Sequence, residues 1–300
     1  MGKLSIVTIT YKEKAFIKKY MENLISIKQQ MPDLEIIVRE HSSNDGSYEL
    51  LKEYENNAKI FLTDNVGLSA GFNAALKEVS NEYVLFMGSD AYPDFETLEG
   101  LCKYFDENPD VSAATTKLVL EDGNLDMDAH RGFPTPWNSF TRLSGLNKLF
   151  PKSNFFNGYF LPEADLSKPH EIDLCISHFM FCRKSFIEKI GGFDEDFFLY
   201  GEDVDFCYRV KQNSGKIMYL PQWTTLHLKG GSVGIRKTTR NKDKKPLKHR
   251  LRSQRLSAIA MEIFVRKHYF KKYPAAFCYL MILSSRALGL FRVFMESFRR

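Results

Sequence analysis

The chain has 300 residues, and 44% of them are hydrophobic, so it can bury a large core and is not a disordered protein over most of its length. The charge is uneven: residues 228–300 contain 19 Lys or Arg against 3 Asp or Glu, whereas residues 1–227 contain 23 basic and 34 acidic residues. The basic part suits an anionic partner such as a phospholipid or a diphosphate, while the acidic body and the lack of a recognisable binding module exclude a nucleic-acid-binding protein.

Strands and helices alternate over the first ninety residues. The apolar runs at 4–11, 34–39, 60–62 and 83–87 predict strands, and the segments between them predict helices over about 15–29, from 47 to about 54, and ending near 77. This alternation predicts a parallel sheet with helices on both faces, and such sheets bind ligands beyond the carboxyl ends of their strands. The residues that directly follow the strands are therefore the candidates: Thr10, Tyr11, Glu40, His41, Gly88, Ser89 and Asp90.

The regular pattern fades between residues 120 and 171, where Gly, Pro, Asn and aromatic residues dominate. A long irregular segment inside a compact domain is usually functional or mobile, so we expect it to shape a substrate pocket. His130, Arg131 and Trp137 are the acceptor-side candidates in this segment, although its aromatic residues are also compatible with core or lid packing.

Two acidic motifs are candidates for chemistry. Asp90 directly follows the strand predicted at 83–87, where a carboxylate can hold a divalent cation that bridges a diphosphate, or can cap a turn. Glu202, Asp203 and Asp205 precede a helix-like stretch, where they gain from the helix dipole and where one of them can be a general base. We expect Arg209 to be the local ion-pair partner that orients Asp203.

His227 ends the apolar run at 217–226 and precedes two glycines. Its imidazole is a candidate metal ligand, and the amides of Gly230 and Gly231, with Lys229, are candidates for phosphate contacts. The five cysteines, at positions 102, 175, 182, 207 and 278, have no zinc-binding spacing and are odd in number, so we expect reduced, buried thiols. The first residues lack the long apolar segment of a signal peptide, which favours the cytoplasm.

These motifs together resemble the inverting family 2 glycosyltransferases with the GT-A fold. The resemblance covers about residues 4–232 and depends on the order and spacing of five segments: 5–11, 40–47, 65–73, 89–90 and 191–209. It implies a mixed α/β sheet flanked by helices, with a nucleotide-binding half (1–119) and an acceptor half (120–232). Residues 233–300 then form a basic helical C-terminal extension.

The resemblance also implies roles for individual residues. Asp203 is the catalytic base, and Asp90 and His227 hold Mn²⁺ or Mg²⁺. Glu202 and Arg209 join the acceptor side. The nucleotide-sugar is expected to contact Thr10, Tyr11, Glu13, Glu40, Asn65, Gly67, Gly71, Ser89 and Asp90.

The sequence departs from the family pattern at two places. Glu40 stands where an aspartate usually contacts the base, and Gly88 stands where the metal-binding DxD motif has its first carboxylate. The second departure also resembles bacterial rhamnosyltransferases, so dTDP-rhamnose is the first expected donor and a UDP-hexose the alternative. The expected acceptor is a glycan or a lipid-diphosphate-linked sugar in surface polysaccharide (O-antigen, capsule or cell wall) biosynthesis.

Two other functions remain open from the sequence. A nucleotidyltransferase would use similar carboxylates and a metal, but the segment after the first strand lacks the glycine-rich, basic loop of that class. A catalytically weakened relative that acts as a binding subunit would explain the missing DxD carboxylate, whereas Glu202, Asp203 and His227 argue against it.

The C-terminal residues have the composition of an interfacial helix. The uncharged run 275–285 is too short to cross a bilayer, and Arg286, Arg292, Arg299 and Arg300 interleave with apolar residues. We expect this tail to bind the anionic inner face of the plasma membrane peripherally. The alternative is a helical pair that packs on the body and exposes a solvated basic face.

Overall fold

The computed structural model describes residues 4–228 and 246–298, and it has the predicted α/β architecture. The strands are β1 (Leu4–Thr10), β2 (Glu35–Glu40), β3 (Lys59–Leu62), β4 (Tyr83–Met87), β5 (Ala91–Tyr92), β6 (Val111–Val119), β7 (His170–Glu171), β8 (Phe179–Arg183) and β9 (Lys216–His227). The helices are α1 (Lys14–Gln30), α2 (Ser47–Lys52), α3 (Leu68–Leu76), α4 (Phe95–Glu107), α5 (Pro136–Ser144), α6 (Leu146–Leu149), α7 (Asn154–Asn157), α8 (Lys184–Lys189), α9 (Glu202–Gln212), α10 (Leu247–Phe264) and α11 (Ala275–Ser297).

One mixed sheet contains all the described strands, in the order β3-β2-β1-β4-β8-β6-β9-β5, with β7 paired to β9. The first four strands in the chain are parallel to one another, as the alternating pattern predicts. The sheet becomes mixed at β8, which runs antiparallel to both β4 and β6. The carboxyl ends of β1, β2 and β4 therefore meet at one edge, and the candidate residues follow these ends.

Both faces of the sheet are covered, which explains why β1 and β4 are apolar without alternation. Helix α1 packs Ile17, Tyr20 and Leu24 into one face. On the other face Phe72 of α3 and Phe206 of α9 belong to a second cluster. These two cores fix the strand ends and the amino terminus of α9 relative to each other.

Some elements differ from the sequence analysis. Helix α4 was not identified, although Asp94 is a clear start signal: its carboxylate accepts a hydrogen bond from the Thr97 amide. Residues 120–171 are less irregular than expected because they contain α5, α6 and α7. Helix α5 begins with Thr135, whose hydroxyl caps the Asn138 amide, followed by a proline at the first helical position.

The C-terminal helices α10 and α11 pack side by side and share a third core with α9, which includes Tyr208. Gly289 allows their close approach, since a Cβ there would lie 2.6 Å from that of Ala258. A buried ion pair between Arg250 and Glu296 ties the start of α10 to the end of α11. All five cysteines are buried and free, as predicted. Lys229, Gly230, Gly231, Arg299 and Arg300 lie outside the described residues.

Candidate active site

A cleft of about 970 Å³, partly open to solvent, lies at the carboxyl edge of β1 and β4. Four of the residues expected to bind the nucleotide-sugar line it: Tyr11, Glu13, Asn65 and Gly67. Glu202 lines it as well. The other expected contacts, which lie beside or behind the cleft wall, are Thr10, Glu40, Gly71, Ser89 and Asp90.

Glu13 and Ser89 connect two strand ends below the cleft. The Ser89 hydroxyl donates a hydrogen bond of 2.6 Å to the Glu13 carboxylate, and both residues are buried. Thr10, at the end of β1, has a buried hydroxyl that lacks a hydrogen-bond partner among the described residues. Because an unpaired buried hydroxyl is costly, Thr10 is suited to a polar ligand atom.

Glu40 organises the loop that follows β2. Its carboxylate accepts hydrogen bonds from both the amide and the hydroxyl of Ser43, and that hydroxyl also accepts the Lys12 amide at 2.7 Å. Glu40 thereby joins the loops after β1 and β2. In this arrangement the carboxylate acts on the protein's own loops and does not line the cleft.

The loop before α3 depends on two glycines. Gly67 has φ +93°, and a Cβ there would lie 2.7 Å from the carbonyl oxygen of Phe198. The Leu68 amide donates a hydrogen bond of 2.7 Å to that oxygen. A Cβ on Gly71 would lie 2.9 Å from the ring of His41, which lines the cleft. Both positions therefore require glycine for steric reasons.

Asp90 and His227 lie together, as the resemblance implies. Nε2 of His227 is 3.6 Å from Oδ1 of Asp90, and Nδ1 is 2.8 Å from Oδ2 of Asp126. Burial opposes a charge on this imidazole, but the hydrogen bond with Asp126 and the charges of Asp90 and Asp126 outweigh it and raise the pKa of His227 to about 9. All three side chains are almost completely buried.

This arrangement fits a divalent cation that displaces the proton on Nε2 of His227, because a metal binds the neutral imidazole. His227 Nε2 is buried and lacks a hydrogen-bond partner among the described residues, while Asp126 holds the opposite ring nitrogen. A carboxylate behind a ligating histidine fixes its tautomer and orientation. The described residues contain no cluster of three or more metal-binding side chains. A cation held by Asp90 and His227 would therefore need diphosphate oxygens and water to complete its shell, as is common for Mg²⁺.

Gly88 occupies the place of the first DxD carboxylate. A Cβ there would lie 2.8 Å from both Asp90 Oδ1 and the ring of His178. His178 therefore fills the space that a longer side chain at position 88 would need. Desolvation lowers the pKa of His178, although the charge of Asp90 opposes this shift, and the ring centroid of His178 lies 5.8 Å from that of His227.

Asp203 lies in the first turn of α9 and is paired with Arg131 from the segment after β6. Arg131 Nη2 is 3.2 Å from Asp203 Oδ2, and Arg131 Nη1 donates a hydrogen bond of 3.0 Å to the Tyr159 hydroxyl. The neighbouring Glu202 is buried and accepts a hydrogen bond of 2.8 Å from Ser177. Burial and the charge of Asp203 raise the pKa of Glu202 to about 8.

The expected role of Arg209 is wrong. Its Nε is 2.7 Å from Asp205 Oδ2, and Nη1 donates to the Ile190 carbonyl, so it does not pair with Asp203. The reason is helical geometry: residues four apart share a face, whereas residues six apart do not. Asp205 is fully buried and also contacts His268, so this group fixes α9 behind the site.

The structure corrects one acceptor-side expectation, whereas a second one stays a prediction. His130 is fully buried, with its Nε2 2.6 Å from that of His170, and burial lowers its pKa to about 4. It is a neutral core residue and cannot reach an acceptor here. Trp137 lies on the surface outside the cleft, where its indole N–H donates to the Phe155 carbonyl, and its acceptor-side role stays a prediction.

Sequence reasoning missed four residues of the site: Asp126, His178, His249 and Arg252. The last two belong to α10 and line the cleft. The guanidinium of Arg252 lies 4.7 Å from the ring centroid of Phe198. Among the described lining residues it is the only arginine or lysine, beside the carboxylates of Glu13 and Glu202. In the sequence, the only indication of Arg252 was the net charge of +16 over residues 228–300, and this charge does not identify a particular residue.

Comparison with known proteins gives a consistent result. The family described as "Glycosyl transferase family 2" matches residues 5–191. Rhamnosyltransferase WbbL of Escherichia coli K12 is 22% identical over 229 residues, which cover 74% of this chain and 82% of that protein.

Solved structures share the fold. The mannosyltransferase PcManGT from Pyrobaculum calidifontis, in complex with GDP-Man and Mn²⁺, has a TM-score of 0.56 at 16% identity, covering 98% of this chain and 74% of that one. TarS 1–349 of S. aureus has a TM-score of 0.53 at 19% identity, covering 86% of this chain. The match spans 65% of the TarS chain, slightly less than two thirds of its length.

Proposed function

The chain belongs to glycosyl transferase family 2 and has the GT-A fold, and from this premise we propose that it is an inverting enzyme that transfers a sugar from a nucleoside diphosphate to an acceptor hydroxyl. One observation carries the proposal. The Asp90–His227–Asp126 group adjoins the cleft at Gly88 and His178, and Asp203, held by Arg131, directly follows Glu202 in the cleft wall.

We propose that the donor is dTDP-rhamnose, with a UDP-hexose as the alternative. Similarity to a rhamnosyltransferase over 82% of that relative's length supports the first choice. Thr10, Tyr11, Glu13, Asn65 and Gly67 are the proposed contacts to the nucleotide and its sugar. Glu40, Gly71 and Ser89 support them by holding the loops and strand ends in place.

Asp90 and His227 are the proposed ligands of Mn²⁺ or Mg²⁺. When bound there, a divalent cation would supply positive charge that stabilises the diphosphate leaving group. Asp126 keeps Nδ1 of His227 occupied, so Nε2 remains directed toward Asp90. Arg252 adds a positive charge at the α10 wall of the cleft, where a diphosphate would otherwise meet the carboxylate of Glu13.

Asp203 is the proposed general base. Arg131 holds its carboxylate in one orientation, and the carboxylate takes the proton of the acceptor hydroxyl as that oxygen attacks the anomeric carbon. A single displacement inverts the anomeric centre and needs no covalent intermediate. Glu202 retains its proton near neutral pH because of its burial, so we propose that it donates a hydrogen bond on the acceptor side.

We propose a lipid-diphosphate-linked glycan acceptor for surface polysaccharide synthesis, and a cytoplasmic location at the inner face of the plasma membrane. Helix α11 supports the location. It is long and apolar enough, by length and composition, to span a bilayer, although a single helix of this kind is weak evidence. Because it packs lengthwise on α10, we propose that it lies on the membrane.

We propose residues 1–232 as the glycosyltransferase domain, with the nucleotide half at 1–119 and the acceptor half at 120–232. Residues 233–300 are the basic extension. This extension contributes to the catalytic unit, since His249, Arg252, Ser253 and Leu256 line the cleft.

The test is a thermal-shift panel of nucleoside diphosphates and their sugars, with and without Mn²⁺ or Mg²⁺. The wild type is compared with Asp90→Ala and with Asp122→Ala, a control on an exposed turn. Stabilisation grows with the logarithm of ligand concentration over Kd, so a true donor stands out. We expect one donor to act only with metal, and Asp90→Ala to lose the effect. No response to any nucleotide would favour the binding-subunit alternative.

A further inference from the structure

The segment that contains α5, α6 and α7 exposes an unusual set of large apolar side chains. Six of them are between 39% and 71% exposed: Trp137, Phe140, Leu143, Leu149, Phe150 and Phe155. Trp137 packs on both Phe140 and Phe155, with ring centroids 5.5 and 4.8 Å apart. Phe156 contacts both Phe155 and Phe150, so the four exposed aromatic residues form one surface cluster, and such clusters mark interaction sites.

Helix α11 exposes an apolar face, whereas an ordinary surface helix exposes charged and polar side chains. It buries Cys278, Met281, Ile282 and Gly289 toward the protein. At 100° per residue, its opposite face carries no charged side chain. That outward face consists of Ala276, Leu280, Leu283, Ala287, Leu290, Phe291, Phe294 and Phe298, of which the leucines and phenylalanines are 59–72% exposed.

These two apolar surfaces adjoin each other, because α5 packs against α11. Each of these two packed helices carries one arginine, Arg142 on α5 and Arg292 on α11, and both side chains are exposed. Partial burial and the charge of Arg142 lower the pKa of Arg292. Neither arginine forms an ion pair with a carboxylate within the part of the chain that the structure describes.

Arg142 is connected to the proposed base. The Arg142 guanidinium lies 4.2 Å from the ring centroid of Tyr159. The Tyr159 hydroxyl accepts a hydrogen bond from Arg131, which pairs with Asp203. Three successive contacts therefore lead from Arg142 to the carboxylate that would deprotonate the acceptor.

We propose that the α5–α7 segment and α11 form one surface that docks on an anionic lipid bilayer, with Arg142 and Arg292 binding lipid phosphates. This inference deepens the proposed function, which assigns membrane contact to the C-terminal extension alone. A bilayer fits better than a second copy of the chain, since a symmetric dimer would bring the like-charged arginines of the two copies together. The basic residues can contact the phosphates of the lipid headgroups while the neighbouring apolar face contacts the acyl chains.

Tryptophan fluorescence tests the surface directly, because the chain contains only Trp137 and Trp223. In Trp223→Phe, Trp137 is the sole reporter. On vesicles of phosphatidylcholine and phosphatidylglycerol, we expect a blue shift, and about twofold quenching when the acyl chains are brominated, since interfacial side chains enter the acyl boundary. The control is Trp137→Phe, whose Trp223 packs against Gly100 and should remain unquenched.

Matched variants test which residues act. Phe140→Asp with Phe155→Asp should reduce vesicle binding in flotation, whereas Leu62→Asp, on an exposed residue of β3, should not. Arg142→Gln with Arg292→Gln should remove the preference for phosphatidylglycerol. Binding to vesicles without quenching of Trp137 would overturn the proposal, as would self-association through this surface in sedimentation without vesicle binding. The nucleotide thermal shift, measured on the same variants, reports separately on the glycosyltransferase site.

Discussion

Arg131 Nη2 lies 3.2 Å from Asp203 Oδ2, although the two residues are 72 positions apart in the sequence. The ion pair is largely buried, with side-chain exposures of 12% and 14%. It joins the segment after β6 to the first turn of α9 and sets the direction of a carboxylate at the edge of the cleft. Removing one partner of such a pair leaves the other poorly compensated.

Arg131→Met should therefore lower kcat by about 100-fold, because a small misplacement of a catalytic group has an effect of that order. The nucleotide Kd should change little, since Arg131 is not part of the donor cleft lining. Steady-state kinetics and calorimetry measure the two quantities, and Lys148→Met serves as an exposed control. A weakened Kd with unchanged kcat would contradict the orienting role.

Asp126→Asn should weaken Mn²⁺ binding about 10–100-fold, as loss of the partner behind a metal-binding histidine typically does. An asparagine can still contact Nδ1 but carries no negative charge. Calorimetric titration of Mn²⁺ in the presence of the nucleoside diphosphate measures the effect, and Asp122→Asn is the control. If Asp126→Asn and Asp122→Asn bind Mn²⁺ with equal affinity, His227 is not a ligand of the metal.

Glu202 should make stability depend on pH. Its pKa is about 8 in the folded protein, above its ordinary value, so between about 4.5 and 8 the folded state holds a proton that the unfolded state releases. The free energy of unfolding should therefore fall as pH rises through this range. Glu202→Gln should remove this dependence and, at pH 8, should be more stable than the wild type by about 1 kcal/mol or more.

Urea unfolding at pH 4.5, 6 and 8 measures this effect. The control is Glu99→Gln, an exposed residue of α4 that should leave the wild-type pH dependence intact. If the wild type and Glu202→Gln respond to pH in parallel, Glu202 titrates normally.

Arg252→Met should raise the Kd of a nucleoside diphosphate about tenfold, which corresponds to the loss of one charge-assisted contact. The Kd of the nucleoside alone should not change, because the guanidinium is expected to act on phosphate. Arg255→Met, three residues later on the same helix and outside the cleft lining, is the matched control. If nucleoside and nucleoside diphosphate lose affinity equally, Arg252 supports the shape of the cleft and does not bind phosphate.

Local patterns predicted the first half of the fold well. β1 to β4 fall within one or two residues of their expected bounds, because buried parallel strands are short, apolar and separated by helices. Asp90 and His227 were predicted to lie together because each comes at the end of a predicted strand. In the structure they are neighbours because β5 pairs with β9 and places Ala91 opposite His227, whereas β4 and β9 are not adjacent.

Long-range contacts were not predictable from spacing. Asp126 reaches His227 across 101 positions, and the Arg131–Asp203 pair spans 72. Arg209 was assigned to Asp203 by proximity in sequence, whereas the turn of the helix directs it to Asp205. The missing DxD carboxylate was visible in the sequence, but its steric reason, the ring of His178 beside Gly88, required the structure.

Helix α10 contacts both the cleft and helix α11. Arg252 and Leu256 line the cleft, while Ala258, half a turn further, lies against Gly289 of α11. A helix moves as one body, so a displacement at the Ala258 contact is transmitted to Arg252. If lipid binding shifts α10, it changes the affinity for nucleotide. Thermodynamic reciprocity then requires that bound nucleotide change the affinity for the bilayer by the same factor, which would make each ligand an effector of the other.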